Sequence, residues 1–209
     1  MDLFELKREQ RRFAEKVELQ DNFSKIKTIG GVDCAQIKNK LVASVVVCEY
    51  PSMKMVEKQS FVLSDPLPYA TGFMAYREMP AIIEAFNKLE NEPDIILVDG
   101  TGILHPRKFG LASHVGLSLN KPTIGIIKNL FVGRVEQGKV YLNRDLVGFE
   151  IKTKEHASSL YISPGHMVSL GTCLKIVQNS IKPPHKLPEP IHLAHRFAKK
   201  KVKQVIGEE

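Results

Sequence analysis

Cysteine is scarce in this chain: there are three, Cys34, Cys48 and Cys173. They are odd in number, far apart, and form no metal-type pair. That excludes a disulfide framework and a zinc-ribbon site, and makes buried thiols in a reducing compartment the expectation. No apolar run is long enough to cross a membrane. The opening stretch, MDLFELKREQRR, lacks the apolar core of a secretory signal, so a cytoplasmic location is expected. Repeats and low-complexity tracts are missing as well, which sets aside arrays and fibrous architectures. What is present is an ordinary globular composition over 209 residues, 43% hydrophobic and 25% charged. A chain of this length buries roughly 70% of its unfolded surface and needs no covalent staples. The formal charge of +7 favours an anionic partner, nucleic acid or an acidic membrane surface, although a merely lysine-rich surface accounts for charge alone equally well.

Leu3, Leu6, Phe13 and Val17 recur at helical spacing, so an amphipathic helix opens the chain. Three β-rich runs come next, at 28–36, 40–49 and 54–63, with turn signals at Asn39-Lys40 and Pro51-Ser52. Such short connections imply antiparallel neighbours. Residues 73–90 read as a helix with Phe73, Tyr76, Ile83 and Phe86 inward and Pro80 as a point of kinking or restart. The segment 94–99 is continuously apolar between its two terminal aspartates, the mark of a strand buried on both faces. A short helix at 110–120 and a second buried strand at 122–127 succeed it. Short strands near 140–142 and 146–151, a helix near 167–178, and a proline-rich tether, IKPPHKLPEP, lead to a basic last helix at about 190–205. A run of strands and then α/β alternation implies a mixed sheet, three antiparallel strands and then parallel ones, with helices on both faces of a single domain spanning 1–209.

Asp33 lies inside the first strand, where Gly31 and Ala35 share its face and leave room beside the carboxylate, while Val32 and Cys34 point to the core. An Asp after two glycines serves equally as a turn or cap residue. Asp99 closes the apolar strand, at the end where open α/β sheets line their ligand crevice, or else caps a helix or orders a loop. Glu78 alone reads as a solvated helix residue. Its helix, however, must pack across the sheet that carries both aspartates, and a sheet-facing Glu78 would complete a triad. Three ionised carboxylates share a small site only if a cation offsets their charge, and oxygen donors suit one or two Mg2+ or Mn2+ ions.

The segment Asp99-Gly-Thr-Gly-Ile-Leu-His-Pro-Arg-Lys-Phe-Gly-Leu-Ala-Ser-His-Val-Gly closely resembles the signature of the endonuclease V family. Gly31-Val-Asp33, Pro68-Tyr69-Ala-Thr-Gly72 with Tyr76-Arg-Glu78, and Ile124-Gly-Ile-Ile-Lys128 match in the expected order. The resemblance implies a ribonuclease H-like fold and a metal-dependent endonuclease of base repair. Such an enzyme hydrolyses the second phosphodiester 3′ to inosine in DNA or RNA, uses Mg2+ with Mn2+ as a substitute, and acts as a monomer with no membrane partner. It assigns the metal to Asp33, Glu78 and Asp99, places Lys128 near the scissile phosphate, and puts an active-site histidine at His195, with His192 as a close alternative.

It also implies a pocket for the extruded base, built from Tyr69 as a wedge with Gly72, Met74, Gly100, Gly102, His105, Gly110, Leu111, Ala112, Ser113 and His114. Each of the two histidines, taken alone, reads as structural. Arg107 would contact phosphate or brace the loop. The chain departs from the family pattern at Ala70-Thr71, where Ile-Pro is usual, and at Met79, where Gly is usual, so the wedge lacks a stiffening proline. Two other readings stand beside this one: a nuclease-like module that binds nucleic acid without turnover, and a related nuclease specific for structured DNA. The basic helix would lie along a nucleic-acid backbone or simply face solvent.

Overall fold

The computed structural model describes residues 2–207. A single nine-stranded sheet organises them. Its first three strands, β1 (Thr28–Ile37), β2 (Lys40–Glu49) and β3 (Met55–Ser64), form an antiparallel meander at one edge. β4 (Ile95–Asp99) and β5 (Thr123–Ile127) continue from β1 as parallel neighbours. The far half is antiparallel again: β6 (Arg134–Glu136), β7 (Lys139–Leu142), β8 (Asp145–Ile151) and β9 (Leu160–His166), with β9 placed between β5 and β8. This is the expected mixed sheet.

Helices cover both faces. α1 (Leu3–Ala14) opens the chain, capped by the Asp2 carboxylate, which accepts from the Phe4 N–H at 2.8 Å. α2 (Met74–Phe86) and α3 (Leu111–Leu119) cover one face, and α4 (Leu170–Asn179) and α5 (Glu189–Gly207) the other. Alternation along β4 divides the core. Ile95 and Leu97 pack with Ile176 of α4 and Ile191 of α5, whereas Ile96 and Val98 pack with Ile82 of α2 and Val115 of α3. No helix of the described residues is long and apolar enough to cross a membrane.

Three sequence expectations change. α2 runs unbroken through Pro80, which lies exposed at its seventh residue. Its buried face includes Ala75, Glu78, Met79, Ile82, Ala85 and Phe86; Phe73 and Phe86 are inward as expected, whereas Tyr76 and Ile83 stand at the margin. β9 lies outside the expectations, since Pro164-Gly165 reads as a strand breaker. β8 stops pairing with β9 at Ile162, so no neighbour on that side calls for the donor that Pro164 lacks. β6, only three residues long, carries no readable period.

Candidate active site

Val32 and Val98 are partners in the parallel β1–β4 ladder, so the next residues, Asp33 and Asp99, emerge side by side on neighbouring strands. Asp99 alternates with Leu97 and therefore faces the α4–α5 side. Asp33 faces that side too: its Oδ2 lies 2.7 Å from Nδ1 of His195 on α5. Gly31 makes the approach possible. A Cβ there would sit 2.2 Å from the carbonyl of Pro190, in the first turn of α5. The room expected beside Asp33 is thus filled by a helix, and that helix delivers the histidine. His192 instead stacks on His185 with ring centroids 3.6 Å apart, away from the acids. Lys128, just past β5, donates to Asp99 Oδ2 at 2.7 Å.

Glu78 approaches from α2 on the opposite face, beside Cys34 and near enough to feel the charges of Asp33 and Asp99. Burial pushes Glu78 up to about 8, and the charges of Asp33 and Asp99 add to the shift. Burial raises Asp33 as well, with the Asp99 charge adding and the His195 and Lys128 contacts opposing. The thiol of Cys34 is held protonated by burial and by the acids around it. Among the described residues, no three His, Cys, Asp or Glu side chains stand in ready-formed metal-ligand geometry. The chemistry of the donors still fits a hard divalent cation. They are carboxylate oxygens whose mutual repulsion a cation relieves, and an ion such as Mg2+ keeps several waters and needs only one or two protein carboxylates.

Asp99 and Lys128 also stand at one end of a cavity of about 360 Å3. Of the residues assigned to a base pocket, Tyr69, Gly72, Met74, Gly100, His105, Gly110 and Leu111 line it. Gly102, Ala112, Ser113 and His114 stand behind its wall. Gly102 is pressed against β9, where a Cβ would come 2.0 Å from the Pro164 carbonyl oxygen. His114 packs edge-on to Tyr76 at 5.2 Å and tilted to Phe109 at 5.1 Å, and burial lowers its pKa. His105 is buried and donates its Nε2–H to the Gly72 carbonyl, 3.2 Å away, while its Nδ1 accepts from the Arg107 N–H; burial and Arg107 lower its pKa to about 4.

That carbonyl is the hub of the pocket. Arg107 Nη2 donates to it at 2.7 Å and Gln10 Nε2 at 3.1 Å, while Arg107 Nε donates to Gln10 Oε1 at 2.5 Å. Arg107 also lies over the Phe73 ring, so it braces the loop. Gln10 is absent from the sequence expectations. Its signal is present in the chain all the same, because it falls between Leu6 and Phe13 on the apolar stripe of α1, a core position held by an amide. Tyr69 is 63% exposed at the rim, and Phe131, also absent from those expectations, joins it at 39%. Two exposed rings beside an apolar hollow are surfaces on which a planar ligand can stack.

A family model described as Endonuclease V matches residues 11–196. An endonuclease V of Dictyoglomus thermophilum is 35% identical over 200 residues, spanning 91% of this chain and 87% of that protein. One of Dehalococcoides mccartyi is 38% identical over 199 residues, 90% and 89% of the two chains. Among solved structures, the Bacillus subtilis endonuclease V superposes with a TM-score of 0.92 at 27% identity, covering 100% of this chain and 95% of that one. The Ciona intestinalis endonuclease V, solved with a 23mer DNA containing an inosine followed by a ribo-adenosine, gives 0.88 at 27% identity, covering 97% and 98%.

Proposed function

The chain belongs to the endonuclease V family, and on that premise we propose that it nicks DNA or RNA at inosine, hydrolysing the second phosphodiester 3′ to the deaminated base. The observation that carries this reading is continuity: Asp99 and Lys128 belong both to the acidic site and to the wall of the 360 Å3 cavity. A base held in that cavity puts its own strand against the carboxylates.

Asp33, Asp99 and Glu78 are the residues that would hold Mg2+, with Mn2+ as a substitute. When bound, such a cation generates a nucleophile from water near neutral pH and offsets charge on the phosphate. His195 fixes the orientation of Asp33 through its 2.7 Å hydrogen bond. Lys128, held beside Asp99 at the cavity wall, would meet a phosphate oxygen of the strand. Tyr69 fills the gap left in the stack by the extruded base. At the start of α3 the Gly110 and Ala112 N–H groups are taken by the Gly102 and Thr101 carbonyls at 3.0 and 2.9 Å, so the uncapped Leu111 N–H at the cavity wall is the donor that would meet the hypoxanthine carbonyl. Adenine carries an amine in that place and would be rejected by about 1–3 kcal/mol for each such contact. The reading carries with it a single-domain monomer that repairs deaminated bases in the cytoplasm.

The test is to incubate matched single-inosine DNA and RNA oligonucleotides with the protein and Mg2+, and to map the cut. A nick one nucleotide beyond inosine that disappears with chelator is the expected result. Intact strands, or cutting indifferent to the base, would overturn the proposal.

A further inference from the structure

A second hollow, about 250 Å3, lies on the α5 side of the sheet over β2 and β3. Its wall carries Lys58 from β3 and Lys200 and Lys201 from α5, and Ser44 of β2 lies at its floor. Phe197 and Gln204 complete the helical side, at positions that share one face of α5 with the two lysines. Lys58 is held in place rather than loose, its ammonium 4.1 Å from the centroid of the Phe197 ring. Ser44 is fully buried, and its hydroxyl has no hydrogen-bond partner among the described residues. A buried hydroxyl left unpaired costs stability and calls for a ligand or a role. No carboxylate lines this hollow. A bound group would therefore meet three cations and a hydroxyl donor.

The hollow is in register with the acids. Ser44 is the cross-strand partner of Asp33, and Ser60, which also lines the hollow, is the partner of Ser44. Two strand spacings put Ser60 roughly 10 Å from Asp33. α5 makes the same connection lengthwise, carrying His195 to Asp33 and Lys201 to the hollow about 9 Å further along its axis. A strand leaving the acids across β2 therefore runs toward the lysines.

We propose that this hollow is a phosphate subsite, taking a backbone phosphodiester of the nucleic-acid strand away from the cut. The proposal deepens the nuclease reading and rests on it for the path of the strand. Lysine point charges with a hydroxyl donor suit a phosphate oxygen and read no base, so the subsite contributes affinity for length and not for sequence.

The experiment is fluorescence anisotropy with oligonucleotides ending close to the inosine and oligonucleotides extended by about ten nucleotides on each side in turn, over a range of salt. Each length is also made with adenosine in place of inosine. The protein should bind one of the extended series about tenfold more tightly than the short strand. In Lys200→Gln/Lys201→Gln that advantage should fall to about twofold or less, with the slope of log affinity against log salt shallower by about one to two. Ser44→Ala should lower the advantage about threefold without lowering the melting temperature. A length advantage and salt slope equal to those of the unaltered protein would overturn the subsite. So would a variant that loses only the thermal stabilisation given by inorganic phosphate, because the hollow would then hold a free anion and not the strand. Equal binding of inosine and adenosine strands would count against the nuclease reading, while the length effect would still be read independently.

Discussion

Asp33 stands between two opposite influences, the Asp99 charge beside it and the His195 ring hydrogen-bonded to it. Asn in its place keeps the shape and the contact with α5 but removes a negative oxygen donor. Asp33→Asn should therefore cut the single-turnover rate on inosine substrate by at least about 10²–10³-fold. In a gel shift it should leave binding within a few fold, and a variant that still nicked at the parent rate would refute the assignment. Tyr69 has the reverse profile: it is exposed at the cavity rim and distant from the proton chemistry. Tyr69→Ala should weaken discrimination between inosine and adenosine strands roughly tenfold, the worth of about 1–3 kcal/mol of base stacking. An unchanged affinity ratio would rule out a wedge.

The loop from Gly100 to Gly110 is held by polar contacts from several elements, among them the buried Ser163 of β9 and the buried Gln10 of α1. Gln10→Leu preserves volume and the apolar stripe, yet strips donors from the Gly72 and Phe109 carbonyls. A loss of about 1–3 kcal/mol in urea unfolding is expected, together with weaker binding of the inosine strand. Stability equal to the parent would show that water replaces the amide at no cost. The same loop confers acid sensitivity through His105. Its folded pKa of about 4 lies below its ordinary 6.5, so the neutral ring is the form the fold prefers. The associated stability is present above pH 6.5 and is lost as pH falls toward 4. Between pH 6.5 and 4 the melting temperature of His105→Gln should rise relative to that of the parent; a difference that does not change with pH would exclude His105 as the cause.

These contacts also mark the limit of what the chain disclosed by itself. The signature run from Asp99, the apolar strands and the carboxylates were legible because each is local: a period, a spacing, a motif. The burial of Gln10, the strand through Pro164 and the face from which Glu78 arrives depend on which distant segments meet. β9 illustrates the point, since Pro164 is tolerable only because β8 ends its pairing at Ile162. His195 is distinguished from His192 only by the docking of α5 on Gly31.

Across the whole molecule, the acids set a conflict between folding and function. Glu78 is raised to about 8 and Asp33 is raised too, so both hold protons more tightly in the fold than in the unfolded chain. For a carboxylate shifted upward, the stabilising contribution is full below about pH 4.5 and disappears as pH climbs through 8. The cation-free protein should accordingly melt at lower temperature at pH 8.5 than at pH 6. A divalent cation competes with those protons, so the rise in melting temperature on adding Mg2+ should be larger at pH 8.5. Thermal melts with Mg2+ and with chelator at both values check this; an equal or smaller rise at pH 8.5 would show that no proton is displaced.

The seating of α5 on Gly31 bears on how the protein is made. Asp33, Glu78 and Asp99 leave the ribosome long before His195, and β1 keeps a bare face until the last helix arrives. A nascent chain halted ahead of residue 189 would hold its acids without the imidazole that orients Asp33, and would present an uncovered sheet to chaperones and proteases.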